Sequence, residues 1–206
     1  MNSTRIVNLN IEDELTEIYS EFCFEFKDTD IVVGDGNPYS GIVLIGEAPG
    51  KDEVKLKKPF VGSAGKILKE FIEELGITRN DIYITNAIKY RLCRINEKTS
   101  RTVNRPAKKE DINNCRHYLI RELAVLNPKI IVTLGNVPIN VLTNKSVKIG
   151  DIHGNILPVK INESNYKVYP MYHPASLIYN RSLYDTYKAD ISRLGQIIRD
   201  EIFISC

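Results

Sequence analysis

Four residues, Glu47, Phe60, Asn86 and His173, stand where side-chain chemistry could be concentrated. The hydrophobic run IVLIG at 42 to 46 stops abruptly at an acid, Glu47, followed by Ala48, Pro49 and Gly50. A Pro-Phe-Val-Gly turn at 59 to 62 comes next, and an amphipathic stretch opens behind it. This layout gathers a carboxylate, an aromatic face and small residues such as Gly46 and Ala48 at the carboxyl end of one strand. Open α/β sheets bind ligands there, and the grouping suits a flat ring. Asn86 closes a second short strand, and His173 lies in a late loop, MYHPASLIYN.

Other chemistries are excluded by spacing. GEAPGK and GSAGK lack the glycine interval of a phosphate-binding loop and the hydroxyl residue that should follow its lysine. No GxGxxG follows a strand, and no GxSxG elbow offers a nucleophilic serine. Cysteines 23, 93, 115 and 206 form no CxxC pair and fit neither a zinc site nor a secreted disulfide framework. His117, His153 and His173 have no metal-ligand spacing. An acid acting with a histidine is what remains.

The elements that must position these groups alternate between two periods. Helical spacing predicts helices at 11 to 26, from a cap at Ser63 to an end at Gly76, at 107 to 126, near 137 to 143, and at 183 to 202 with Ser182 and Asp185 as a capping box. Short apolar runs predict strands at 31 to 33, 42 to 46, 82 to 86 and 129 to 135, with two edge-like strands at 155 to 160 and 166 to 170. KIIVTLG, ending at Gly135, is the best buried strand. The order argues for a three-layer α/β/α sandwich around a mainly parallel sheet, as a single domain over residues 1 to 206.

Composition agrees with one soluble globular domain: 206 residues, 43% hydrophobic and 26% charged. No apolar run approaches a membrane span, and the acidic start is unlike a signal peptide, so the expectation is a cytoplasmic protein. The net charge of +2 conceals an asymmetry. Residues 1 to 30 hold eight acids against Arg5 and Lys27, whereas residues 89 to 109 hold eight basic residues against Glu97 alone. A basic stretch directly after a strand end is placed to face phosphates.

Taken in order, GEAPG, PFVG-x-AG, ITN-x-x-K, NRP, C-x-x-x-L, P-x-I-I-V-x-LG and YHPAS resemble the family 4 uracil-DNA glycosylases over about residues 20 to 200. The resemblance implies an enzyme that flips uracil out of DNA and hydrolyses its N-glycosidic bond, leaving an abasic site for base excision repair. It implies that Phe60 stacks on the uracil ring, that Asn86 pairs with the N3 and O4 edge, and that His173 donates to O2. An amide that accepts from N3-H and donates to O4 rejects cytosine, which presents the reverse pattern. Glu47 would orient water at C1′, with Asp52 and Glu53 as weaker candidates; Gly46, Ala48 and Asp52 would line the base. Ser176, Leu177 and Ile178 would form a wedge entering the duplex, while Lys51, Lys66 and Arg181 would hold phosphates.

Departures from the family pattern set further expectations. Typical members carry a 4Fe-4S cluster on four cysteines, whose positions here read Ser20, Cys23, Tyr90 and Cys115. Two thiolates hold a cluster poorly, so no cluster is expected, with Tyr90 and its neighbours filling the space. The interval from 90 to 115 is about nine residues longer than usual for the family, and Lys57 stands where glycine is common. The leading expectation is a monomeric hydrolase acting on uracil-containing DNA. A homologue that keeps the pocket but has lost turnover is the alternative. Covalent trapping of DNA through a histidine ranks last, because residues 89 to 109 contain none.

Overall fold

The computed structural model describes residues 10–200. In chain order the elements are α1 (Ile11–Glu25), β1 (Asp35–Gly36), β2 (Ile42–Gly46), α2 (Lys51–Leu56), α3 (Ser63–Glu74), β3 (Tyr83–Asn86), β4 (Cys93–Ile95) and β5 (Thr102–Asn104). They continue with α4 (Lys109–Leu126), β6 (Ile130–Leu134), α5 (Asn136–Thr143), α6 (Ile149–Ile152), β7 (Leu157–Ile161), β8 (Ser164–Met171), α7 (Ala175–Tyr179) and α8 (Tyr184–Ile198).

Six strands form one sheet in the order β1-β3-β2-β6-β8-β7. The inner four are parallel, and β1 and β7 run antiparallel at the two edges. Period-two alternation divides the side chains between two faces. Ile42, Leu44, Ile84 and Val132 pack with Leu68 and Phe71 of α3 and Leu194 of α8. Val43, Ile45 and Ile131 pack with Leu15 of α1, Leu119 and Leu123 of α4, and Ile139 of α5. Burying each such side chain contributes roughly 1.5–3 kcal/mol. The result is the expected three-layer sandwich. Gly46 and Asn86 are paired in register and continue the face that meets α3.

Local chemistry explains where the helices begin. Asn10 caps α1 by accepting from the Asp13 amide at 2.9 Å, and Glu12, Asp13 and Glu14 place negative charge at the positive end of its dipole. Much of the acidic excess near the start of the chain is therefore a helix terminus. The Ser182–Asp185 capping box does not form. Asn180 competes successfully for Ser182, accepting from its hydroxyl at 2.7 Å and its amide at 3.1 Å, and draws it into a single 3₁₀ turn over Arg181–Leu183. Likewise Gly62, not Ser63, occupies the cap position of α3.

Three further expectations change. Residues 31 to 33 make only one bridge, Ile31 to Tyr90, rather than a strand. The segment 166 to 170 is no edge: β8 lies between β6 and β7, with Tyr166, Val168, Tyr169 and Met171 buried. The basic stretch is not a plain loop, because β4 and β5 pair into a separate antiparallel hairpin. The end of the expected last helix, residues 201 and 202, lies outside the described residues.

Candidate active site

A cavity of about 350 Å³ opens beyond the carboxyl ends of the parallel strands. Its walls include Ala48 through Glu53 after β2, Phe60, Gly62 to Ala64 at the start of α3, Asn86, Asn104, His173 and Ile178. Residues far apart in sequence meet here because β2, β3, β6 and β8 all terminate on one side.

Phe60 is held in a conformation that costs energy. Its φ of 53° is left-handed, a region that a bulky residue seldom adopts. Three contacts fix it there. The Arg79 guanidinium donates to the Pro59 carbonyl at 2.6 Å. The Glu53 carboxylate accepts from the amides of Val61 at 3.0 Å, Gly62 at 2.7 Å and Gly50 at 3.1 Å. Gly65 has no room for a side chain, since a Cβ there would lie 2.1 Å from the Phe60 carbonyl oxygen. Glu53 is therefore a strap between α2 and the aromatic turn, a role that its spacing in the sequence did not reveal.

Gly46 is the floor where Phe60 and Asn86 come together. A Cβ on it would sit 2.5 Å from Asn86 Oδ1 and 2.6 Å from Phe60 Cζ. Asn86 is only 2% exposed. Behind it, on the other face of the sheet, the Lys89 ammonium donates to the Asn86 carbonyl at 3.2 Å and to Glu122 Oε2 at 2.7 Å. Tyr19 donates to the second oxygen of Glu122 and also meets the Tyr83 hydroxyl. Lys89 and Glu122 are 1% and 0% exposed, so this ion pair is closed to water.

His173 follows β8 and packs over Gly135, the residue after β6, where a Cβ would lie 3.3 Å from that of His173. Its Nδ1 accepts from the Ala175 amide at 3.1 Å, which leaves the proton on Nε2. Burial lowers its pKa to about 4, opposed by the nearby Glu53 charge. The imidazole is thus neutral at pH 7 and offers an N–H donor. Its ring centroid is 5.9 Å from that of Phe60, with planes 29° apart. A ring lying between them would need about 7 Å, twice a van der Waals contact. His173 therefore meets a ligand stacked on Phe60 at its edge, not its face.

The acids are distributed differently from one another. Asp52 and Glu53 line the cavity, whereas Glu47, half-buried, precedes the lining residue Ala48 without lining the cavity itself and accepts from the Ala107 backbone amide. Burial raises the Glu47 pKa, and that amide partly opposes the rise. Among the cations, Lys51 lines the cavity, Lys66 lies along a neighbouring apolar groove beside α3, and Arg181 sits near Ile67 and Tyr184. In the wedge segment the Ser176 amide bonds to the His173 carbonyl at 2.8 Å, and Leu177 is buried in the core against α3. Ile178, 49% exposed, and Tyr179, 88% exposed, are the apolar side chains presented to solvent. Tyr179 and Asn104 line the cavity without having been singled out.

The four cluster positions do not fit iron–sulfur ligation. Ser20 donates to the Thr16 carbonyl at 2.8 Å, and Cys23 is exposed on α1. The Tyr90 hydroxyl donates to Asp111 at 2.9 Å and offers no thiolate, and Cys115 is buried beside it. Phe22, Phe26, Tyr90 and Tyr118 fill the region with ring contacts of 4.5–6.4 Å. Among the described residues no group of three or more His, Cys, Asp or Glu side chains could hold a metal ion.

An aromatic plate, a buried amide and a neutral imidazole donor on one floor define an α/β protein suited to a planar, hydrogen-bonding heterocycle. Residues 33–194 match the Uracil DNA glycosylase superfamily. The Type-4 uracil-DNA glycosylase of Thermotoga maritima is 36% identical over 199 residues, covering 92% of this chain and 97% of that protein. The Type-4 enzyme of Archaeoglobus fulgidus is 35% identical over 173 residues, 82% of each chain. That of Sulfurisphaera tokodaii is 36% identical over 192 residues, 91% of this chain and 83% of that protein. The chain belongs to the uracil DNA glycosylase superfamily.

Proposed function

We propose that the protein is a uracil-DNA glycosylase, a hydrolase that cleaves the N-glycosidic bond of deoxyuridine in DNA and leaves an abasic site. The observation that carries this reading is the meeting of Phe60, Asn86 and the Nε2–H of His173 on one cavity wall. An extruded uracil stacks on Phe60 and pairs its N3 and O4 edge with the Asn86 amide. His173 donates to O2. As the bond from C1′ breaks, the electron pair moves onto the base, so a fixed donor at O2 is strongest in the transition state. A neutral imidazole suits this role because it needs no proton from solution at pH 7.

Glu47 orients the water that adds to C1′, and its charge favours the cationic sugar. Gly46 and Ala48 allow the base to approach the backbone, and Asp52 closes the polar side. Lys51, Lys66 and Arg181 hold phosphates, and the Ser176–Ile178 segment, which lies in α7, fills the gap in the duplex with Ile178 as its exposed apolar residue. We read residues 1 to 206 as one such domain, cytoplasmic and monomeric, working without an iron–sulfur cluster. Iron content of anaerobically purified protein tests the last point: a stoichiometric four irons would overturn it.

A fluorescent oligonucleotide with one uracil, followed by alkaline cleavage, tests the activity. Strand scission at the uracil is expected, and none at cytosine. Glu47→Gln should slow release by about 10²-fold or more with binding retained. Tight binding by the unaltered protein without scission would sink the catalytic reading.

A further inference from the structure

We propose that the β4–β5 hairpin is a DNA clamp that grips the phosphates flanking an extruded nucleotide. The proposal rests on the reading of the cavity as a nucleotide site. The hairpin is anchored at its base. Arg91 and Arg105 amides bond to the Asp30 and Leu92 carbonyls, each at 3.0 Å. The Arg105 guanidinium holds Asp111, the second residue past the start of α4, at 2.6 and 2.8 Å. Its tip is tightened by Asn96, whose carbonyl and side chain accept amides of Lys98, Thr99 and Ser100.

Position and charge then point to one partner. Asn104, at the end of β5, lines the cavity together with Asn86, His173 and Ile178, so the hairpin rises from the cavity rim. Arg94, Lys98 and Arg101 are exposed on it, against a single acid, Glu97. Arg105, Arg121 and Lys89 are each matched to a carboxylate. Arg94, Lys98 and Arg101 make no ion pair among the described residues. Cations left unmatched on a rigid ribbon beside a nucleotide cavity suit a polyanion whose spacing is regular, and the phosphates of the strand being read are nearest.

Removing the three charges tests this. The R94Q/K98Q/R101Q protein and the unaltered protein are compared by fluorescence anisotropy on uracil-containing single strands and duplexes across a salt series. Each phosphate contact contributes about 0.7–0.9 to the slope of log affinity against log salt. A fall of about two to three in that slope is expected. KM should rise by an order of magnitude or more near physiological salt, while the single-turnover rate at saturating enzyme stays within about two-fold. Lys129→Gln, at the amino end of β6, should leave the slope unchanged. An unaltered slope in the triple variant, or an equal fall in the Lys129 control, would overturn the clamp. If the unaltered protein releases no uracil but the slope still falls, the clamp stands and the glycosylase reading fails.

Discussion

Two polar groupings flank the end of β3, and they differ in one respect. On the α4 face, the Lys89–Glu122 pair is buried, and Tyr19 ties Glu122 to Tyr83. On the α3 face, Asn86, His173 and Asp52 line an open cavity, and the Nε2–H of His173 has no hydrogen-bond acceptor among the described residues. A closed network fixes geometry, while an open one waits for a ligand. Here the first supports the second, since Lys89 grips the carbonyl of the residue whose amide faces the cavity.

The contrast can be broken from either side. Lys89→Met leaves Glu122 buried without its countercharge and should cost about 3–5 kcal/mol of stability in urea unfolding. Adding Glu122→Leu should restore much of it; failure to do so would mean that the pair fixes more than its own charge. His173→Ala should do the reverse, lowering kcat by about 10²–10³-fold with little change in melting temperature. If each variant harms both properties equally, the two networks are one.

Acidity sharpens the comparison further. The folded pKa of His173 is about 4, below the unfolded value of 6.5, so the unfolded chain takes up this proton first as pH falls. Its contribution is fully present above pH 6.5 and is lost progressively toward pH 4. Unfolding measured across that window should be flatter in His173→Gln. No limb near pH 6.5 should appear in kcat/KM from His173, whereas protonation of Glu47, whose pKa is raised, should set an acid limb above its ordinary 4.5 that vanishes in Glu47→Gln. The smallest effect is expected at Lys57. Its φ of 53° places a side chain where glycine is unstrained, so Lys57→Gly should stabilise the protein by about 1 kcal/mol in thermal unfolding.

Most of the sheet was legible because β2, β3 and β6 are short apolar runs ended by a glycine or a polar residue, and the motifs at those ends were legible with it. The polar residues Ser164, Asn165 and Lys167, by contrast, made the inner strand β8 read as an edge. Phe60, Asn86 and His173 converge as their strand ends imply. What stayed hidden depends on pairings distant in sequence. Lys89 and Glu122 are 33 residues apart, and no period links them. Strands of three residues, as in β4 and β5, are too short to show alternation among charged neighbours. Glu53 looked like a spare acid because its three amide partners belong to turns, which have no pattern to read. Leu177 followed the packing of the core against α3 and not the surface.

The bonds from Glu53 to three amides have a consequence for what happens after cleavage. If Phe60 is the shelf for the base, as proposed, it is built before any nucleotide arrives and is not dismantled after cleavage. Released uracil meets the same surface as the substrate did, with nothing in the turn to relax and eject it. Free uracil should therefore compete with DNA for the enzyme, and loosening the Glu53 strap should weaken that competition.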